Sequence, residues 1–120
     1  MLVFHYSEKY CAHNMKTYKL NQFTKGWIVG DFSPSIIRTK DFEFMVRSYK
    51  PGDSETTHVH KIADEITVIV NGVFLMNGNE LTAGDIIHLS PGDSTDFKCL
   101  EGGSTAVIKT PSVIGDKYIL

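Results

Sequence analysis

Two histidines and a glutamate lie close together in the stretch from Lys50 to Gly72, which reads KPGDSETTHVHKIADEITVIVNG. His58 and His60 are two positions apart, and Glu65 follows five positions after the second histidine. Side chains two apart on a β-strand share one face, so both imidazoles can converge on one point. Two histidines and a carboxylate on one face form a metal-ligand set that leaves positions open for substrate, water or O₂. The same spacing also fits exposed histidines beside a solvated acidic turn.

The surrounding sequence predicts an all-β chain. Turn signals recur at short intervals, and between them lie short apolar and β-branched runs: FEFMVRSY, EITVIV, VFLM, DIIHL, TDFKCL and TAVIK. This spacing is typical of a β-sandwich or β-barrel. The turn signals include KGW, NG at Asn71, EGG at Glu101 and three copies of PGD or AGD. Asn77-Gly78 is typical of a type I′ hairpin turn, in which both central residues need a positive φ.

Alternation along EITVIV places Glu65 on one face and an apolar stripe on the other. If the short KIAD turn keeps the parity of the two strands, Glu65 joins His58 and His60. The opposite stripe consists of Ile66, Val68 and Val70. It needs cover from a second sheet or a second subunit, and we predict a homodimer with two-fold symmetry.

The pattern G-x5-H-x-H-x4-E-x6-G, formed by Gly52, His58, His60, Glu65 and Gly72, resembles the first signature motif of the cupin superfamily at every fixed position. The resemblance spans about residues 42–109. It implies a cupin-type double-stranded β-helix, or jelly-roll barrel, with the ligands lining its interior. It also implies one divalent transition metal (Fe, Mn, Ni or Zn) held by the two histidines and the glutamate.

The second cupin motif, G-x5-P-x-G-x2-H-x3-N, is matched in part. Gly84 and Gly92 match, whereas Ser90 stands at the proline position, Thr95 at the histidine position and Cys99 at the asparagine position. The site therefore has three family-type ligands, because a threonine hydroxyl is a poor ligand for a divalent ion.

Three interpretations of Thr95 stay open. Metal binds with more open positions, another residue replaces the missing ligand, or an organic ligand binds in a metal-free pocket. Asp96 has the opposite parity, His88 is better explained as a core or interface histidine, and Cys99 as a buried thiol. Thr95 itself is then a candidate substrate contact.

Arg47 and Tyr49 are two further candidate substrate-binding residues. They share a face with Glu43 and Met45 in FEFMVRSY. Facing inward, they would hold an anionic or ring-shaped substrate. Facing outward, they would form a solvated face with one amphipathic tyrosine. Both orientations remain open from the sequence.

The 120-residue length suits one domain. We predict an N-terminal arm or edge segment over residues 1–26 and the barrel over 27–120, with Met1 or Met15 as the true start. The ending TPSVIGDKYIL is expected to lie over the outside of the sheet. The net charge is −2 and basic residues are not clustered, so neither nucleic acid nor a membrane is predicted as a partner. Two cysteines make no disulfide framework, which favours the cytoplasm.

These features predict a metal-dependent enzyme that acts on a small polar metabolite. The alternative is a non-catalytic module that binds or senses a small molecule. A third possibility is a metal-free sugar-nucleotide isomerase, although the sequence shows no basic, aromatic cradle for a nucleotide.

Overall fold

The computed structural model describes residues 1–3 and 15–120, and strands dominate it. The eight strands are β1 (Trp27–Val29), β2 (Glu43–Tyr49), β3 (Ser54–Val59), β4 (Asp64–Met76), β5 (Asn79–Leu81), β6 (Ile86–Leu89), β7 (Ser94–Thr110) and β8 (Tyr118–Ile119). Two short 3₁₀ turns, Leu20–Gln22 and Thr24–Gly26, precede them. The all-β prediction is confirmed. Within the described ranges, no helix is long and apolar enough to span a membrane.

The long strand β7 organises the sheet. It pairs with β2, β3 and β4, while β1 pairs with β2, β8 with β3, and β5 and β6 with β4; all these pairings are antiparallel. The sheet wraps around a core without closing into a complete barrel. The buried core cluster consists of Ile69, Phe74, Met76, Phe97 and Cys99. The prediction of a buried Cys99 thiol is thereby confirmed.

The turn predictions are confirmed at the short hairpins. Asn77 and Gly78 have φ values of 49° and 78°, and the strands they join pair directly on either side. Three turns end in Gly-Asp, and in each the aspartate side chain accepts a hydrogen bond from the first residue's backbone N–H: Lys50 to Asp53, Thr82 to Asp85 and Ser90 to Asp93. These turns fix the strand ends around the barrel.

Two other turn predictions are wrong, because strands β4 and β7 continue through NG at Asn71 and EGG at Glu101. Gly72 has a φ of 87° and lies at a bulge where the register shifts. A Cβ added to Gly72 would lie 2.6 Å from Cα of Gly103. The glycines therefore allow the backbones of β4 and β7 to approach closely at a bulge. The chain does not reverse direction at either position.

The C-terminal segment does not lie over the outside of the sheet as predicted. Strand β8 extends the sheet edge beside β3, with Ile119 opposite His58. The backbone N–H of Leu120 also donates to the carbonyl of Thr57 at 3.0 Å. The open edge of β3 offered backbone groups that a chain crossing the outer face would have left unpaired.

At the other end, Trp27 begins β1. The division into residues 1–26 and 27–120 stays a prediction, and residues 4–14, which include Cys11 and part of the predicted arm, lie outside the described residues.

The predicted parity of β4 is confirmed. Thr67 and Ile69 are buried, whereas Ile66 and Val70 on the other face are 38% and 51% exposed. In the described part of the chain no second sheet covers these two side chains. Cover by a second subunit stays a prediction.

Candidate metal centre

A bulge in β3 brings His58 into the interior. The register shifts between Glu55, opposite Phe97, and His58, opposite Thr95. Glu55 and His58 are three positions apart, so a regular strand would place them on opposite faces. With the extra residue in the bulge, both line the same internal cavity.

His60 and Glu65 complete the predicted cluster. His60 directly follows β3, and Glu65 is the second residue of β4, after the short loop of residues 61–63. One ligand atom from each of His58, His60 and Glu65 lies within 4.8 Å of the other two. The KIAD turn therefore keeps the parity that the sequence analysis required.

Backbone carbonyls orient both imidazole rings. Nδ1 of His58 lies 2.9 Å from the carbonyl oxygen of Thr56, and Nδ1 of His60 bonds to the carbonyl oxygen of Asp116. A carbonyl oxygen can accept but not donate, so each Nδ1 carries a proton. In the neutral ring this leaves the lone pair on Nε2, the usual arrangement of a metal-ligating histidine.

The carboxylate of Glu65 has an unsatisfied oxygen. Its Oε2 atom is buried, and no group within residues 1–3 and 15–120 donates a hydrogen bond to it. Nε2 of His60 lies 3.0 Å away, so a proton on that nitrogen would pair with this oxygen. Two imidazole nitrogens and an unsatisfied carboxylate oxygen that converge in a buried site match the donor set of a divalent transition metal.

The charges of this pair depend on each other. The neighbouring Glu65 raises the pKa of His60 above its ordinary value, and burial only partly opposes this. Burial would raise the pKa of Glu65, but His60, with help from Lys109, outweighs it and holds that pKa below its ordinary value. Without metal, the two residues therefore tend toward an imidazolium–carboxylate pair.

Asp116 supports the site and was missed by the sequence analysis. Its carboxylate accepts hydrogen bonds from the consecutive backbone N–H groups of Lys61, Ile62 and Ala63, with the shortest at 2.9 Å to Lys61 and to Ala63. Burial would raise the pKa of Asp116, but these N–H groups outweigh it and keep the pKa low. A GD pair in the last ten residues resembles any surface turn, so the sequence gives no signal for this contact.

Thr95 lies where the second motif placed it. It is 3% exposed, stands opposite His58 in the β3–β7 register and lines the cavity. Its hydroxyl donates to the carbonyl of Asp96 at 2.6 Å. The hydroxyl is therefore engaged with backbone, and the position of a fourth protein ligand stays free.

The other proposed substitutes for a fourth ligand do not reach the site. Asp96 is exposed and accepts a hydrogen bond from the backbone N–H of Asn77. His88 is also exposed, and its Nε2 pairs with Asp64 at 2.9 Å. Of the two predicted positions for His88, the core is wrong, because even-numbered residues of β6 face outward, and an interface stays a prediction.

Arg47 and Tyr49 face inward. Both line a cavity of about 240 Å³ together with His58, His60 and Glu65, so the outward orientation is wrong. The guanidinium of Arg47 lies 4.8 Å from the ring centroid of Tyr49. Burial raises the pKa of Tyr49, which keeps its phenol protonated at neutral pH. Their role as substrate contacts stays a prediction.

A second cavity of about 330 Å³ lies beside the first. Trp27 and Lys109 border both cavities. The ammonium of Lys109 lies 3.3 Å from Glu43 and 4.8 Å from the ring centroid of Trp27. These side chains form a charged, aromatic wall between the two spaces.

Comparison with known proteins gives no match to a family model and none to a curated protein. Solved structures do match. A protein with a double-stranded β-helix domain from Klebsiella pneumoniae aligns with a TM-score of 0.65 and 18% identity, over 88% of this chain and 97% of its own. A cupin protein from Bacteroides fragilis aligns with a TM-score of 0.54 and 21% identity, over 67% of this chain and 74% of its own.

The chain has the cupin fold. A DMSP lyase from Ruegeria pomeroyi shares it, with a TM-score of 0.64 and 18% identity over 78% of this chain. The chain covers 49% of that lyase. The prediction of a cupin-type double-stranded β-helix is confirmed, and the His58–His60–Glu65 cluster within this cupin fold fits metal binding.

Proposed function

We propose that this cupin binds one divalent transition metal through Nε2 of His58, Nε2 of His60 and the carboxylate of Glu65, and acts as an enzyme on a small polar metabolite. The observation that carries the proposal is the buried Oε2 atom of Glu65. It has no hydrogen-bond donor in the described part of the chain, and Nε2 of His60 lies 3.0 Å from it. A carboxylate oxygen and an imidazole lone pair this close repel each other unless a positive charge lies between them. A bound metal ion supplies that charge, and without metal a proton on Nε2 of His60 does.

The protein groups around the cluster suit this role. The carbonyls of Thr56 and Asp116 hold the two imidazoles by Nδ1 and leave Nε2 directed inward. Thr95 contributes a short side chain where a fourth ligand would otherwise stand, which leaves room for a substrate atom. A metal ion bound here would polarise a substrate oxygen or activate water or O₂.

The cavity supports a small ligand. At about 240 Å³ it is smaller than the 300–1,000 Å³ typical of sites for drug-sized molecules. Tyr49 can donate a hydrogen bond from its protonated phenol, because burial raises its pKa. The DMSP lyase is an enzyme with this fold, so the fold is compatible with catalysis.

Metal analysis of protein purified without a nickel column tests the proposal. About one transition-metal ion per chain is expected, and His60→Ala should lower that content severalfold or more. His88→Ala is the matched control, since His88 lies on the outer face and should leave metal content unchanged. Equal metal content in the wild type, His58→Ala and His60→Ala would contradict the metal site.

Activity assays distinguish an enzyme from a non-catalytic binding module. A metal-loaded protein that binds small metabolites but turns over none of them would favour the non-catalytic binding or sensor module. The same result would leave the metal site intact.

A further inference from the structure

Four basic side chains line the metal cavity: Lys25, Arg47, Lys109 and Lys117. Two of them have carboxylate partners. Lys109 lies 3.3 Å from Glu43, and Lys117 lies 3.1 Å from Glu55. In the described part of the chain, Lys25 and Arg47 have no carboxylate oxygen within 4.0 Å.

The guanidinium of Arg47 is held in place without using an acidic partner. It stacks 4.8 Å from the ring centroid of Tyr49, and Tyr49 is in turn packed against Phe74 and Phe97, with ring centroids 5.7 and 4.9 Å away. A guanidinium has five N–H donors, so contact with Tyr49 leaves several of them available to a ligand. A fixed planar fork of this kind matches the two oxygens of a carboxylate.

Lys25 reaches the same cavity from a strained turn. Its φ and ψ are 52° and 29°, the left-handed region that a lysine seldom adopts. The next residue, Gly26, is pressed against β2, where an added Cβ would lie 2.0 Å from the carbonyl oxygen of Val46 and 3.5 Å from Cβ of Arg47. The backbone of the turn therefore lies beside Arg47, and Lys25 lines the same cavity as Arg47. Strain of this kind persists where the surroundings impose it, often at ligand sites.

Arg47 lies some distance along the strands from the metal ligands. Thr105 stands opposite both Arg47 on β2 and Ile69 on β4, and Ile69 is four residues beyond Glu65. Four residues of strand span about 13 Å. The cavity wall between these levels is mixed: Met45 and Val107 are apolar, whereas Thr67 carries a hydroxyl. A ligand that reaches both levels needs an anionic group at the Arg47 end, a metal-binding group at the other end, and a chain long enough to join them.

We propose that Lys25 and Arg47 form an anion site that binds the carboxylate of an elongated organic acid, whose other end reaches the His58–His60–Glu65 centre. The inference rests on the proposed function, because the far end of the acid needs the metal. Lys25 supplies a flexible charge at the rim, and Arg47 supplies the two-point contact that orients the carboxylate.

Calorimetric titration with straight-chain dicarboxylates tests the anion site. Malonate, succinate and adipate are titrated into metal-loaded and metal-free protein, with the uncharged adipamide as the reference compound. Adipate is expected to bind the metal-loaded protein most tightly, since it can span the cavity. Arg47→Gln should weaken adipate binding tenfold or more, and Lys25→Gln severalfold.

Two further variants separate recognition from folding. Lys25→Gly removes the charge and relieves the strained φ, so it should lower adipate affinity while the thermal midpoint stays equal or rises. Arg47→Lys keeps the positive charge but cannot make the two-point contact. It should therefore still lose most of the adipate affinity that Arg47 provides. Lys98→Gln is the matched control, because Lys98 lies on the outward face of β7 and should leave binding unchanged.

The outcomes distinguish this inference from the proposed function. Adipate binding that is equal in the wild type, Lys25→Gln and Arg47→Gln, or adipamide binding as tight as adipate, overturns the anion site. Normal metal binding with no binding of any dicarboxylate also overturns it and leaves the metal site standing. Adipate binding that depends on Arg47 in a protein that takes up no metal supports the anion site and overturns the proposed metal centre.

Discussion

The backbone carbonyl of Asp116 accepts a hydrogen bond from Nδ1 of His60, although the two residues are 56 positions apart in the chain. The carboxylate of the same aspartate binds the N–H groups of Lys61, Ile62 and Ala63. One residue of the C-terminal segment therefore fixes both the orientation of a metal ligand and the loop that leads to the next ligand.

Asp116→Asn should weaken metal binding severalfold, because its carboxylate fixes the loop of residues 61–63 and holds in place the backbone carbonyl that orients His60. An amide has one acceptor oxygen in place of two and carries no charge. The variant should also lower the free energy of unfolding by about 1–3 kcal/mol, because buried N–H groups lose an acceptor. Metal titration and chemical denaturation measure the two effects.

Asp85→Asn is the control for this prediction. Asp85 also accepts a backbone N–H, from Thr82 at 2.8 Å, but it is exposed in a turn. Its replacement should leave metal affinity unchanged. If Asp116→Asn and Asp85→Asn have the same metal affinity, the carboxylate of Asp116 does not contribute to the position of His60.

Metal binding should depend on pH. Glu65 raises the pKa of His60, so a proton competes for Nε2 already above about pH 6.5, the ordinary value for histidine. In the metal-free protein, a raised histidine pKa gives stability that is present below about pH 6.5 and is lost as the pH rises through the folded-state value. The increase in melting temperature on adding metal should therefore grow between pH 6 and pH 8. Thermal melts with and without metal across this range measure it, and a constant increase would contradict the assignment of His60 as a ligand.

The sequence was sufficient to predict the three ligands of the metal centre. It was insufficient to predict the residues that hold those ligands in place. His58, His60 and Glu65 have a spacing that strand parity converts directly into a shared face. Asp116 could not be found this way, because its contacts depend on where the last strand pairs. The orientation of Arg47 also needed the structure, since a strand with mixed side chains on both faces gives no clear alternation.

The continuous strands β4 and β7 show a second limit of sequence analysis. Glycine at Gly72 and Gly103 has the same local signature in a turn as in a bulge. The close approach of the two backbones decides between a turn and a bulge. A Cβ added to Gly72 would lie only 2.6 Å from Cα of Gly103. That contact joins residues that are distant in the sequence, so no local pattern reveals it.

Thr95→His should tighten metal binding. Thr95 lies opposite His58 and beside the cavity, so an imidazole there can supply a fourth lone pair. A tenfold gain in affinity requires only about 1.4 kcal/mol. The larger ring could cost about 1–3 kcal/mol of stability where it meets packed atoms. Turnover should fall, because the new ligand occupies a position that substrate or O₂ needs.

Thr95→Val is the matched control, since it keeps the shape and removes the hydroxyl. It should not tighten metal binding. If Thr95→His has unchanged metal affinity and its imidazole lies outside the cavity, the alignment with the second cupin motif is wrong.

A symmetric homodimer remains a prediction that the outer face supports. Ile66 and Val70 are 38% and 51% exposed on β4, and Ile86 on the neighbouring β6 is 66% exposed. Light scattering at high micromolar concentration should give twice the chain mass, and Val70→Lys should shift it toward the monomer. Lys98→Glu, on the exposed face of β7, serves as the control. A monomer mass for the wild type would rule out the dimer.

Trp27 can serve as an intrinsic fluorescence probe of the two cavities. The chain has one tryptophan, so all indole emission comes from the wall between the two cavities. The ammonium of Lys109 lies 4.8 Å from the centroid of that ring, and Lys109 also stands opposite Glu65 in the β4–β7 register. Any ligand that draws this ammonium away changes the charge beside the indole. Intrinsic fluorescence should therefore report occupancy of the interior without a label or a coloured substrate.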